Sequence, residues 1–222
     1  MPASFEEAEH RHLLFYSKIT CLVAMVLVGA GVGLDAAFYP DRMVEFGFAR
    51  VLVVILIGMA LLSYRTAWGG AQVRRLTYFW IALPQLMIAW MIFSTDGEVS
   101  IYFVGYTFAV SGICIFLPLS VAEAIGFSAF TMLAHVLACS LRDDGVQSWP
   151  ALAGQLIFIS FYALIAVTVS IYGGRQRRQT YALQTEVQRQ KDELVAQNKA
   201  LADIKGQLLQ REKTVSYTHL TL

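Results

Sequence analysis

Long apolar runs separated by short polar loops occupy most of the chain. They cover approximately 19–38, 44–64, 76–95, 99–118, 120–141 and 151–173. Each is close to the roughly 20 residues that a helix needs to cross a bilayer core. None alternates polar and apolar as a strand would. Backbone groups in lipid must pair within their own segment, so the runs are predicted to be six helices. From Thr180 the pattern changes. Val187, Leu194, Leu201 and Leu208 recur every seven residues and take position a of a heptad, while Leu183, Gln190, Gln197, Ile204 and Arg211 fall at d. The residues between them favour helix, and such a seam predicts a short coiled coil, a parallel homodimer. Gln190 and Gln197 weaken the seam while fixing its register, so a small bias would rotate, slide or splay it. A free helix lying on the membrane is the alternative, and the narrow apolar stripe with little basic charge disfavours it.

The expected fold class is therefore all-α: a polytopic membrane bundle of six transmembrane helices followed by a long cytoplasmic coiled-coil helix. Its parts are a cytoplasmic N-terminal segment (1–18), a transmembrane sensor domain (19–174), a signalling coil (175–213) and a terminal stretch (214–222). Composition agrees: 57% of residues are hydrophobic and 15% charged, where soluble domains carry about a quarter charged. The net charge of +1 gives no field that would gather nucleic acid. Cys21, Cys114 and Cys139 lie in apolar runs, an odd count without C-x-x-C spacing, which argues against disulfides and a cysteine zinc site. The N-terminus lacks the basic start of a cleaved signal peptide.

Loop charges orient the spans. Lys18, Arg65, Arg74, Arg75, Arg175, Arg177 and Arg178 fall on one side. Asp41, Asp96, Glu98, Asp143 and Asp144 fall on the other, with Arg42 and Arg142 the only basic residues there. The positive-inside rule then puts both termini in the cytoplasm, with the bilayer as first partner. Trp68, Trp90 and Trp149 stand near expected interfaces, as an aromatic belt requires. The outer loops are short, so any stimulus would act within the bilayer or at its outer surface.

Ionisable residues inside a membrane are costly and often functional. Asp35 and Arg50 lie at similar depth in the first hairpin. Two readings stand open: an ion pair flooring an outer pocket, or an Arg50 that snorkels outward beside an Asp35 facing water. His135 is either a pH switch or a neutral partner in one interhelical hydrogen bond. Tyr102 and Tyr106, four residues apart, either line a pocket or sit at an interface. Gln85 follows Pro84, which frees a carbonyl and bends a helix, and is expected to satisfy that carbonyl. Glu123 is expected to reach cytoplasmic water. The glycines of "GAGVG" (29–33) lack the Lys-Ser/Thr of a phosphate loop and are expected to serve close helix packing. Glu9, His10 and His12 form an exposed turn rather than a metal site. No catalytic set and no cofactor site is evident.

The stretch "ELVAQNKALADIKGQLLQREK" (193–213) resembles the linker that precedes the dimerisation and phosphoacceptor domain of bacterial sensor histidine kinases. The six spans are similar to compact input domains found on such kinases and on nucleotide cyclases. "LDAAFYPDRMVEFGFAR" (34–50) carries the matching Asp35, Pro40 and Arg50. The resemblance implies the sensing half of a kinase in a bacterial inner membrane. ATP, Mg and a response regulator would be engaged only by a kinase core beyond residue 213. An input domain of a diguanylate or adenylate cyclase is the alternative. A small transporter or channel fits less well, because paired broken helices and inverted repeats are not evident. The last residues, Val215-Ser216-Tyr217-Thr218-His219-Leu220-Thr221-Leu222, can be back-translated as GTC TCT TAT ACA CAT CTG ACG CTG. That string resembles a transposon-end sequencing adapter, so residues 214–222 are expected to be foreign to the protein. His219 accordingly carries no phosphoacceptor role.

Overall fold

The computed structural model describes residues 5–219, with side chains through Gly206. Every regular element among them is helical: α1 (Phe5–Ala30), α2 (Val32–Phe38), α3 (Met43–Ser63), α4 (Ala67–Ala71), α5 (Val73–Ser94), α6 (Phe103–Phe116), α7 (Val121–Ser140) and α8 (Trp149–His219), with 3-10 turns at Pro40–Arg42 and Gly97–Val99. The chain divides into two compact units, Met1–Arg175 and Gln176–Leu222.

Among the described residues, five stretches are long and apolar enough to cross a membrane: Phe5–Phe38, Pro40–Ser63, Val73–Ser94, Val121–Ser140 and Trp149–Gly206. The expected fourth span is shorter than its apolar run. Its helix, α6, has 14 residues, about 21 Å at 1.5 Å per residue, against a hydrocarbon core of about 30 Å. Leu117 is extended (φ −93°, ψ 138°) because it precedes Pro118, whose ring disfavours a helical residue before it. At the other end, residues 97–99 form the 3-10 turn.

Two helices run past the ends of the expected spans. Helix α1 starts at Phe5, well before residue 19; its first turn carries Glu6 and Glu7, which suit the positive end of a helix dipole. Gly173 and Gly174 lie inside α8, although each costs a helix about 1 kcal/mol relative to Ala.

In the first unit the apolar side chains point both ways. Of the most apolar stretch of α5, 44% is buried, against 17% for the α1–α2 stretch and 17% for that of α8. Helix α5 is thus the centre, and much of the remaining apolar surface, such as Val26, Leu27, Val51 and Leu52, is exposed. An apolar exterior of this extent suits lipid, not water. Along α8, Leu152, Gln155, Ile159, Ala166 and Ser170 are buried, a helical stripe. Phe158 meets Phe103 edge-on at 6.2 Å, and α7 lies between α6 and α8 in the chain, joined to each by a short loop. Helix α8 therefore runs parallel to α6.

The loops gather at two ends. At the acidic end the Tyr39 hydroxyl donates to Asp96 Oδ2 (2.8 Å) and Arg42 donates to the Ser94 carbonyl. At the basic end the His10 ring bonds the Gly70 carbonyl (2.8 Å). There too Ser17 Oγ and Tyr64 Oη each lie 2.9 Å from Thr77 Oγ1, and Trp80 Nε1 donates to Tyr64 Oη (3.1 Å). Three helices, α1, α3 and α5, are thus tied by neutral hydroxyls.

In the second unit Leu183, Val187, Gln190, Leu194, Gln197, Leu201 and Ile204 are all exposed on the single chain. Its polar contacts are local: Arg189 to Glu186 (2.9 Å) and Gln188 to Asp192 (2.8 Å). Leu208 and Arg211 lie outside the described side chains, and residues 220–222 of the adapter-like stretch lie outside the described residues.

Candidate functional site

The first long apolar stretch is interrupted at Gly31, and the interruption builds the site. After it α2 presents Asp35 toward α3, where Arg50 stands two turns in. Asp35 is wholly buried and Arg50 is 6% exposed. Arg50 Nε donates to Asp35 Oδ2 at 2.6 Å and Nη2 donates to Oδ1 at 2.7 Å, a bidentate, charge-assisted pair. Arg50 Nη1 donates to the Val28 carbonyl at 3.1 Å, so the guanidinium also ties off α1 beside the break. A Cβ on Gly31 would lie 2.1 Å from Arg50 Nη1, so only glycine lets the guanidinium come this close. A Cβ on Gly29 or Gly33 would meet nothing within 4 Å; of the run, Gly31 is the glycine that a close approach requires, and what approaches is the Arg50 guanidinium.

Tyr102, the N-cap of α6, closes the cluster. Its hydroxyl donates to Asp35 Oδ1 at 2.7 Å, giving the carboxylate three donors. The Tyr39 ring stacks on Tyr102 at 5.3 Å, Phe46 meets Tyr102 edge-on at 5.6 Å, and Trp90 meets Phe46 edge-on at 5.6 Å. An aromatic wall therefore seals the ion pair, and of its two open readings the geometry selects the pair. Snorkelling fails because the guanidinium finds all its acceptors inside the bundle.

Tyr102 and Tyr106 belong to two clusters, since one α-helical turn separates them. Tyr106 is buried, with its ring 5.7 Å from His135 and perpendicular to it. His135 makes no interhelical bond by Nδ1, which has no partner; its Nε2 lies 3.9 Å from Cys139 Sγ one turn on. Gln155 of α8 comes within interaction range of that ring. Gln85 is fully buried, and neither amide atom has a partner, so it does not take up the carbonyl freed by Pro84.

Two acids that loop position alone would leave in water hold the helices. The carboxylate of Glu98 accepts from the Gln147 and Ser148 backbone N–H groups at 2.9 and 2.7 Å, which pins the α7–α8 loop to the Gly97–Val99 turn. Burial pushes the Glu98 carboxyl upward, but the backbone donors of its own residue, Ser148 and Gln147, with the charge of Arg142, outweigh it and hold the group below the usual carboxylate range. Glu123 does not reach freely into water. It forms a capping box with Ser120, accepts from Tyr78 Oη and lies 3.3 Å from Arg74.

The one thiol beside an imidazole in these clusters, Cys139 with His135, is buried in the bundle, and among the described residues no group of three or more His, Cys, Asp or Glu side chains could hold a metal ion. Two apolar grooves of about 300 and 430 Å³ run between α5 and α7; none of Asp35, Arg50, Tyr102, Tyr106 or His135 lines them. In the Arg50–Asp35–Tyr102 cluster, loss of either ion would leave an uncompensated buried charge. No family model, no curated protein and no solved structure matches this chain.

Proposed function

We propose that the chain is the sensing and transmitting portion of a bacterial sensor histidine kinase of the inner membrane. In this reading six helices cross the bilayer, α6 being a short span completed by its flanking turns, and both termini are cytoplasmic. The stimulus acts on the acidic end of the bundle. There the Arg50–Asp35–Tyr102 cluster joins α2, α3 and α6, so that a ligand or lipid change which opens it frees three helices together. Residues 183–208 pair with a second copy as a parallel coil and pass the change to a kinase core. That core would use ATP and Mg to phosphorylate a histidine and then a response regulator. Residues 214–222 are read as translated adapter.

The observation that carries the proposal is the apolar stripe of the second unit. Leu183, Val187, Leu194 and Leu201 are each about three-fifths or more exposed on the single chain, while Glu186, Arg189, Asp192 and Glu193 bond within the same helix. A heptad stripe in water calls for a partner helix. The test is disulfide cross-linking of Leu194→Cys and Leu201→Cys variants in native membranes. Same-residue cross-links at both positions are expected, and their absence refutes the dimeric coil. In the parent protein, Asp35→Asn and Arg50→Gln should each lock or abolish signalling; unchanged signalling in both would make the pair structural only.

A further inference from the structure

The second buried cluster leaves three hydrogen-bonding atoms on three helices without partners: Tyr106 Oη on α6, His135 Nδ1 on α7 and Gln155 Oε1 on α8. Tyr106 and His135 are wholly buried, and Gln155 is 9% exposed. They are neighbours: the Tyr106 and His135 rings are 5.7 Å apart, and Gln155 lies within range of His135. All three stand toward the acidic-loop end of their helices, Tyr106 three residues into α6, His135 five from the end of α7 and Gln155 six into α8, roughly 5–9 Å in. Unpaired polar atoms are rare in native interiors and costlier still in a membrane, where solvent cannot reach them.

We infer that these three atoms bind a single ordered water, which bridges α6, α7 and α8. The donor and acceptor balance fits. A thiol is a weak donor, and Cys139 Sγ faces Nε2 of His135 at 3.9 Å, which leaves the imidazole proton on Nδ1. The water accepts from Nδ1–H, donates to Gln155 Oε1, and donates to or accepts from Tyr106 Oη. A buried water typically makes about three such bonds to groups otherwise unsatisfied. The water replaces the direct interhelical bond that His135 lacks and makes α8 a full member of the polar core.

The whole chain in lipid nanodiscs tests this in two ways. With the bridge, Tyr106→Phe and Gln155→Leu each lower Tm by roughly 2–4 °C, and the double variant falls no further than the worse single one, because both changes remove the same water. Without it, Tyr106→Phe merely deletes an unpaired hydroxyl, and Tm rises or stays level. Additive losses would likewise overturn the bridge. Should either variant fail to fold, X-ray radiolytic footprinting of the unsubstituted chain decides. A bound water oxidises Tyr106 or His135 despite their burial and exchanges slowly with ¹⁸O-labelled solvent. Protection of both rings from oxidation would refute the site.

Discussion

The two ends of the bundle are tied in opposite ways. At the acidic end a guanidinium and a carboxylate are buried together and sealed by aromatic rings. At the basic end Ser17, Thr77, Tyr64 and Trp80 make a net of neutral hydroxyl and indole bonds. The charged knot is all or nothing, because either ion without the other is an uncompensated buried charge. The neutral net degrades by steps, since each of its bonds is worth about 0.5–1.5 kcal/mol. A bundle built this way concentrates its sensitivity to substitution at one end and its tolerance at the other.

The largest effect should follow from splitting the charged knot. Asp35→Ala is expected to destabilise the chain by about 3–5 kcal/mol, read as the shift in unfolding midpoint in mixed micelles. The paired replacement Asp35→Leu with Arg50→Met should recover most of that loss, as buried pairs often yield to apolar ones. A mild single-variant effect would erase the contrast between the ends.

Glu98 sharpens the comparison from the same end. Glu98→Gln should cost about 1.5–3 kcal/mol, the range for hydrogen bonds to a charged group. Its pH dependence has a defined sign. The folded carboxyl lies below its ordinary value, so its contribution is complete above the unfolded value of about 4.3. It is lost as pH falls through the lower folded value. The unsubstituted chain should therefore lose more stability on acidification than Glu98→Gln, and parallel pH curves would contradict the assignment.

Gly31→Ala comes next, at about 1–3 kcal/mol for a methyl forced against the guanidinium. The same change at Gly29 or Gly33, where an added Cβ would meet nothing within 4 Å, should be neutral or stabilise by up to about 1 kcal/mol. Equal effects at all three would mean that the glycines act through backbone freedom and not through Arg50. The smallest loss is expected at the basic end. Tyr64→Phe should cost about 0.5–1.5 kcal/mol, and a loss as large as that of Asp35→Ala would show that the neutral net is no more forgiving.

Helices, apolar exterior and exposed heptad stripe were all legible before any coordinates, because each follows from spacing along one chain segment. Hydropathy over some twenty residues needs no neighbour to be read, and a seven-residue period declares its own seam. The short α6 was half legible: Pro118 marks its end, but the turn at Gly97–Val99 is set by Glu98 reaching the next loop but one. Asp35 and Arg50 were legible as candidates and undecided as partners. Whether an arginine snorkels or turns inward depends on what stands opposite, here the space left by Gly31 and the hydroxyl of Tyr102, 67 residues on from Asp35. The division of Tyr102 and Tyr106 between two clusters, the anchoring by Glu98 and the orphaned Gln155 likewise came only from packing. Local pattern selects which backbone forms and which face is apolar; the pairing of buried polar groups is decided by contacts between helices distant in sequence, and no periodicity encodes those.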